Sequence, residues 1–135
     1  MTPIQVGLVQ ESWKQVLPIK DEAAQMFYRR LFELDPSLQP LFKGEMAEQR
    51  RKLMAMIGVA VGSLDRVDTL VPALRELGRK HGNYGVQAKD YDTVGAALLW
   101  TLEQGLGAQF TPEVRAAWTD TYGVVAATMQ GETKA

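Results

Sequence analysis

The chain contains no cysteine and a single histidine, His81. The first scarcity excludes disulfide frameworks, thiolate zinc sites and iron–sulfur clusters. The second excludes any metal or acid–base centre that needs two imidazoles. There is no surplus of one charge either: fifteen basic against sixteen acidic side chains leave a net charge of −1. Neither nucleic acid nor an anionic membrane is expected as a partner of so balanced a chain. The most apolar window, Met54-Ala-Met-Ile-Gly-Val-Ala-Val-Gly62, has half the length of a membrane span. The opening MTPIQVGLVQESWK lacks a basic start, a continuous apolar stretch and a small-residue cleavage site, so no signal peptide and a cytoplasmic location are expected.

The 135 residues, 46% hydrophobic and 23% charged, suit one globular domain over 1–135. Apolar residues recur at helical spacing almost throughout, and no stretch alternates long enough for a half-buried strand. Thr2-Pro3-Ile4-Gln5 has the cap, the proline and the glutamine of a helix start. Val9, Trp13 and Val16 then form a stripe that Pro18 ends. Ala24, Phe27, Leu31 and Leu34 mark a second helix, stopped by Asp35-Pro36. A third runs from about Ala47 to about Leu64 with Gln49, Leu53, Ile57 and Ala60 on one face. Asp68 is the expected cap of a fourth, striped by Leu70, Leu74, Leu77 and His81, after which Gly82 and Gly85 allow a helix end. Tyr91, Val94, Leu98 and Leu102 define a fifth, ending near Gly105 and Gly107. Thr111-Pro112-Glu113 opens a sixth with Val114, Trp118, Thr121 and Val125, and a polar, frayed tail is expected from about 131. The class is all-α, with six or more helices.

Three residues stand out chemically. His81 shares a helical face with Leu74 and Leu77, which admits two readings: a core imidazole with a satisfied hydrogen bond, or the sole protein ligand of a haem iron whose opposite face stays open to a gas. Tyr28 shares its face with Leu31 and Phe32. Gln49 stands one turn before Leu53 on an apolar face, where a buried amide is costly unless paired. Two polar tips converging from different helices could hydrogen-bond a ligand. Met54 and Met56 read as core fillers.

Several blocks then carry a resemblance. Phe27-Tyr28-Arg-Arg-Leu31-Phe32, continuing through Pro36 to Leu41-Phe42, resembles the globin segment in which a helix, a proline corner and a phenylalanine wrap one haem edge. Glu48-Gln49-Arg50 with Leu53 is similar to the distal helix of bacterial globins, and Leu77-Gly-Arg-Lys80-His81-Gly-Asn-Tyr84-Gly-Val86 to the proximal histidine segment. Tyr91-Asp-Thr-Val94-Gly95 with Leu98-Leu99, and Ala117-Trp118 through Tyr122-Gly123-Val124, resemble the last two helices of the flavohaemoglobin haem domain. In order, from about Val9 to Met129, these blocks resemble single-domain bacterial haemoglobins of the flavohaemoglobin-like globin family, the Hell's Gate globin type in particular.

The resemblance implies a globin fold, a three-on-three helical sandwich around one haem b. It makes His81 the proximal ligand of the iron, Phe42 the ring stacked on the haem, and Tyr28 and Gln49 the distal oxygen-binding donors. Leu53, Val86 and Val94 become apolar haem contacts, and Tyr91 matches the tyrosine that orients the proximal histidine. The family's accompanying glutamate falls on Thr133, with Glu132 one residue away. Trp118 and Tyr122 read as packing. One of Arg50, Arg51, Lys52, Arg79 or Lys80 could pair with a haem propionate. The implied function is binding of oxygen and nitric oxide with high affinity, extended to oxidation of nitric oxide to nitrate if an external flavoprotein reductase supplies electrons. The alternative is an oxygen-storing or oxygen-sensing module without turnover.

Overall fold

The computed structural model describes residues 2–42, 45–83 and 87–133, the side chains at 67, 81–83 and 131–133 apart. It contains six α-helices and, among the described residues, no strand: α1 Pro3–Val16, α2 Lys20–Leu34, α3 Met46–Gly62, α4 Val67–Asn83, α5 Ala88–Leu106 and α6 Pro112–Thr133. Short 3-10 turns at Leu17–Ile19, Pro36–Leu41 and Gly107–Gln109 link α1 to α2, follow α2 and follow α5.

Local chemistry sets most boundaries. At α1 the Thr2 hydroxyl accepts from the Gln5 amide while the Gln5 side chain accepts from the Thr2 amide, both at 3.1 Å, which satisfies two donors that a helix start leaves open. The Thr111 hydroxyl caps α6 in the same way, accepting from the Val114 amide at 3.2 Å. Asp35 leaves the helix extended and turns its carboxylate onto Ser37, and that pairing lowers its pKa. Gly107 ends α5 with φ +56°, a region that a side chain disfavours.

One boundary differs from the sequence reading. Asp68 does not cap α4. The first helical acceptor is the Arg66 carbonyl, bonded by the amides of Thr69 and Leu70, which leaves Asp68 inside the first turn, where its charge faces the positive end of the helix dipole. The α6 backbone is helical to Thr133.

The helices pack unevenly. α4 packs on α6, α2 on α5 and α1 on α6, whereas α3 and α4 scarcely touch among the described residues. The α4–α6 crossing is backbone to backbone, since a Cβ on Gly78 would come within 2.2 Å of the Met129 carbonyl oxygen. One core gathers Val9, Trp13, Val61, Leu74, Leu102 and Trp118; a second gathers Phe27, Tyr28, Leu31, Leu38 and Ala97. The first holds a buried polar pair, with Trp118 Nε1 donating to Ser12 Oγ at 2.8 Å and that hydroxyl donating to the Leu8 carbonyl at 2.7 Å. Replacing Ser12 by Ala strands the indole N–H in an apolar core. The expected loss is about 1–3 kcal/mol, read as a lower urea midpoint with an unchanged slope. An unaltered midpoint would show that this bond contributes nothing net.

Candidate functional site

Between α3 and α4 lies a cavity of about 150 Å3 that opens to solvent. Its walls come from five helices: Phe27 of α2; Leu53, Met56, Ile57 and Ala60 of α3; Leu74 and Leu77 of α4; Tyr91, Val94 and Leu98 of α5; and Trp118 to Met129 along α6. Nearly all of this lining is apolar, as the walls of ligand and cofactor pockets are. Met56, 36% exposed, stands at the mouth. It is therefore a rim residue and not the core filler expected from sequence, because α4 does not cover that face of α3.

Beside the cavity lies an aromatic cluster. The Tyr28 ring meets Phe27 at 5.1 Å and Phe42 at 5.3 Å, both edge-on, and Phe32 meets Phe42 at 5.6 Å. The Tyr28 hydroxyl donates to the main-chain carbonyl of Gln49 at 3.4 Å, a long bond. Burial pushes the Tyr28 pKa up to about 12, against the opposing pull of the Arg50 guanidinium. Leu53, Val94 and Leu98 pack against this cluster and also line the cavity, so the two are neighbours sharing one wall.

The polar end of the cavity is built at the start of α5. The carboxylate of Asp90, 5% exposed, accepts from the Gln87 amide at 2.8 Å in a capping box. Tyr91 follows, its pKa raised by burial and then by the Asp90 charge. Tyr122 of α6 donates its hydroxyl to the Tyr91 carbonyl at 2.6 Å, and burial raises its pKa as well. A Cβ at Gly95 would sit 2.8 Å from Tyr122 Cε2, so the ring lies against α5 only because a glycine is beneath it.

A pH dependence follows with a definite sign. The three raised phenols hold their protons in the fold and release them more readily when unfolded. Stability should be level in this respect below pH 10.0, the ordinary tyrosine value, and fall as the pH rises towards about 12 for Tyr28. Thermal midpoints and tyrosinate absorbance, recorded together from pH 9 upwards, check it. Ionisation of every tyrosine at the ordinary value without loss of fold would contradict the burial.

Of the residues singled out by sequence, Leu53, Tyr91 and Val94 line the cavity, while Tyr28, Gln49 and Phe42 lie outside its wall in or beside the aromatic cluster. The backbone of His81 is on α4 one turn beyond Leu77, a cavity residue, and its side chain lies outside the described residues; so does the whole of Val86. Trp118 and Tyr122, read as packing, both reach the cavity. Sequence reading missed Asp90, the one buried carboxylate among the described residues. Its signal was present in Gln87-x-x-Asp90, a capping pair in which the acid occupies the third helical position.

Comparison with known proteins agrees with this architecture. The globin family profile matches residues 25–129. Neuroglobin of Danio rerio is 35% identical over 137 residues, covering 91% of this chain and 86% of its own length. Neuroglobin of Chaenocephalus aceratus is also 35% identical, covering 90% and 86%. Among solved structures, an engineered carbene transferase built on a protein assigned as a nitric oxide dioxygenase from Rhodothermus marinus superposes with a TM-score of 0.87 at 25% identity, covering 99% of this chain and 94% of that one. A hexacoordinated haem protein from an anhydrobiotic tardigrade gives 0.90 at 18% identity, covering 100% and 96%, and shares the fold. No helix among the described residues is long and apolar enough to cross a membrane. The chain belongs to the globin family, whose members bind haem and small gas ligands such as oxygen.

Proposed function

We propose that this chain is a single globin domain that holds one haem b, binds oxygen and nitric oxide, and oxidises nitric oxide to nitrate when an external flavoprotein reductase supplies electrons. The observation that carries the reading is the apolar cavity opening between α3 and α4, with its wall on α4 ending one turn before the only histidine. A flat, largely apolar macrocycle fits such walls, and its iron needs one neutral imidazole, which His81 is able to give. Bound there, haem supplies an iron with a vacant face for a diatomic ligand.

The chain's own residues do the rest. Leu53, Val94 and Leu98 keep water from the pocket. The Tyr28 hydroxyl, held by burial in its neutral donor form at any physiological pH, exchanges the long bond to the Gln49 carbonyl for one to a ligand that gathers negative charge. The Gln49 amide is a second donor from the same quarter. Tyr91 and Asp90 bring polar groups to the cavity that Leu77 of α4 also lines, and polar groups of this kind orient an imidazole ring. With a single histidine, a second imidazole cannot occupy the open face, in favour of external ligands.

The overall change is nitric oxide plus oxygen plus one electron giving nitrate. No cysteine offers that electron. Purified protein supplied with haem should develop an intense Soret band; once reduced and oxygenated, it should convert nitric oxide to about one nitrate per haem and stop until a flavoprotein reductase with nicotinamide is added. The similarity to the Rhodothermus marinus protein supports this reading. Nitrate formation that never cycles with any reductase would favour the oxygen-storing or oxygen-sensing alternative, and absence of a Soret band would overturn both.

A further inference from the structure

Three cations follow one another on α3: Arg50, Arg51 and Lys52. Arg51 and Lys52 both turn to Glu48, each at 3.7 Å, and their side chains are mostly exposed. Arg50 differs from them. It is half-buried, and it has no carboxylate partner among the described residues.

Its place follows from its neighbours. The carbonyl that accepts the Tyr28 hydroxyl at 3.4 Å belongs to Gln49 and is bonded directly to the Arg50 nitrogen, so the main chain of Arg50 lies beside that phenol. Further along the same side of α3, Leu53 and Ile57 line the cavity. Arg50 stands at the head of that row, and its charge reaches Tyr28, opposing the effect of burial there. We propose that Arg50 biases the cavity towards small monovalent inorganic anions as ligands of a ferric haem. The inference rests on the haem reading above and adds to it a ligand class and a residue that determines it.

The physics separates Arg50 from its neighbours and from the hydrogen-bond donors. A guanidinium stays charged at any physiological pH. The field of an exposed charge is screened over about 8 Å at physiological salt, and the carboxylate shared by Arg51 and Lys52 cancels part of theirs. A half-buried charge is screened less. The apolar walls of the cavity hold few dipoles that could turn against its field. That field favours any anion that enters and hardly acts on a neutral molecule, whereas a hydrogen bond from Tyr28 requires contact and orientation. Fluoride, nitrite and the nitrate formed in the proposed reaction all belong to the favoured class.

The test titrates ferric, haem-loaded protein with sodium fluoride and, separately, with nitric oxide, read in the Soret band at neutral pH and constant ionic strength. Arg50→Gln should lose roughly three- to twentyfold in fluoride affinity while its affinity for neutral nitric oxide stays within about twofold. Arg50→Lys should keep most of the parent's fluoride affinity, and Arg51→Gln all of it. Should Arg50→Gln fail to take up haem, Arg50→Met decides, since it keeps the apolar stem and removes the charge. Unchanged fluoride affinity, an equal loss for nitric oxide, or an equal loss in Arg51→Gln overturns the inference and leaves the haem reading intact. Faster haem loss from Arg50→Gln with fluoride affinity kept would assign Arg50 to a haem propionate and overturns it likewise. A protein with no Soret band overturns the haem reading and this inference with it.

Discussion

Haem-loaded His81→Ala should lose the normal ferrous-haem spectrum, and added imidazole should restore it. The argument is one of supply. The chain has no other imidazole and no thiolate, so no second protein group of the same chemistry can take over the iron. Because the substitution leaves a space of imidazole size, external imidazole can enter and coordinate, which separates loss of a ligand from loss of the fold. Circular dichroism of the apo forms should show equal helix content. An unchanged ferrous spectrum in the variant without imidazole would mean that the iron is held by something other than His81.

The second large effect falls on ligand release. Oxygen on a ferrous haem gathers negative charge on its outer atom, and carbon monoxide gathers far less. A charge-assisted hydrogen bond contributes about 1.5–3 kcal/mol, and each 1.4 kcal/mol is about tenfold. Tyr28→Phe keeps the ring that meets Phe27 and Phe42 and removes only the hydroxyl. The oxygen dissociation rate should therefore rise by roughly ten- to a hundred-fold, with a much smaller change for carbon monoxide. Equal changes for both gases would assign Tyr28 a steric part instead. Gln49→Leu, measured beside it, divides the effect between the two donors.

How far the molecule was legible in its sequence depended on the range of the interaction. The Thr2–Gln5 box and the Thr111 cap close within one helical turn, so the residues that make them are adjacent in the text as well as in space. Asp68 misled because its side chain suits a helix start, whereas α4 begins from the Arg66 carbonyl at the turn leading out of α3, where the Arg66 amide bonds to the Ser63 carbonyl. Periodicity placed Leu53, Ile57 and Ala60 on one face and the cavity is there. It gave no means of knowing that Met56 would stand uncovered, since that depends on how far two non-consecutive faces diverge. Spacing placed Tyr28 and Gln49 as two polar positions on converging helices; that the Tyr28 hydroxyl donates to the main-chain oxygen of Gln49 is decided by atom positions that spacing does not encode. The Ser12–Trp118 bond spans 106 residues and has no local trace.

The slack contact between α3 and α4 has a consequence for the protein's life in a cell. α4 hangs on α6 through the close crossing at Gly78 and scarcely touches α3 among the described residues, so a haem bound in the cavity would be what ties the two together. A ligand that binds only the folded chain stabilises it by RT ln(1 + [L]/Kd), about 4 kcal/mol at a thousandfold excess over Kd. That is a large share of the roughly 5–15 kcal/mol that holds a domain of this kind together. The unloaded chain opens more often and is the better substrate for proteases. Abundance of this globin should then follow the supply of haem after translation, with starvation for iron thinning the population chain by chain.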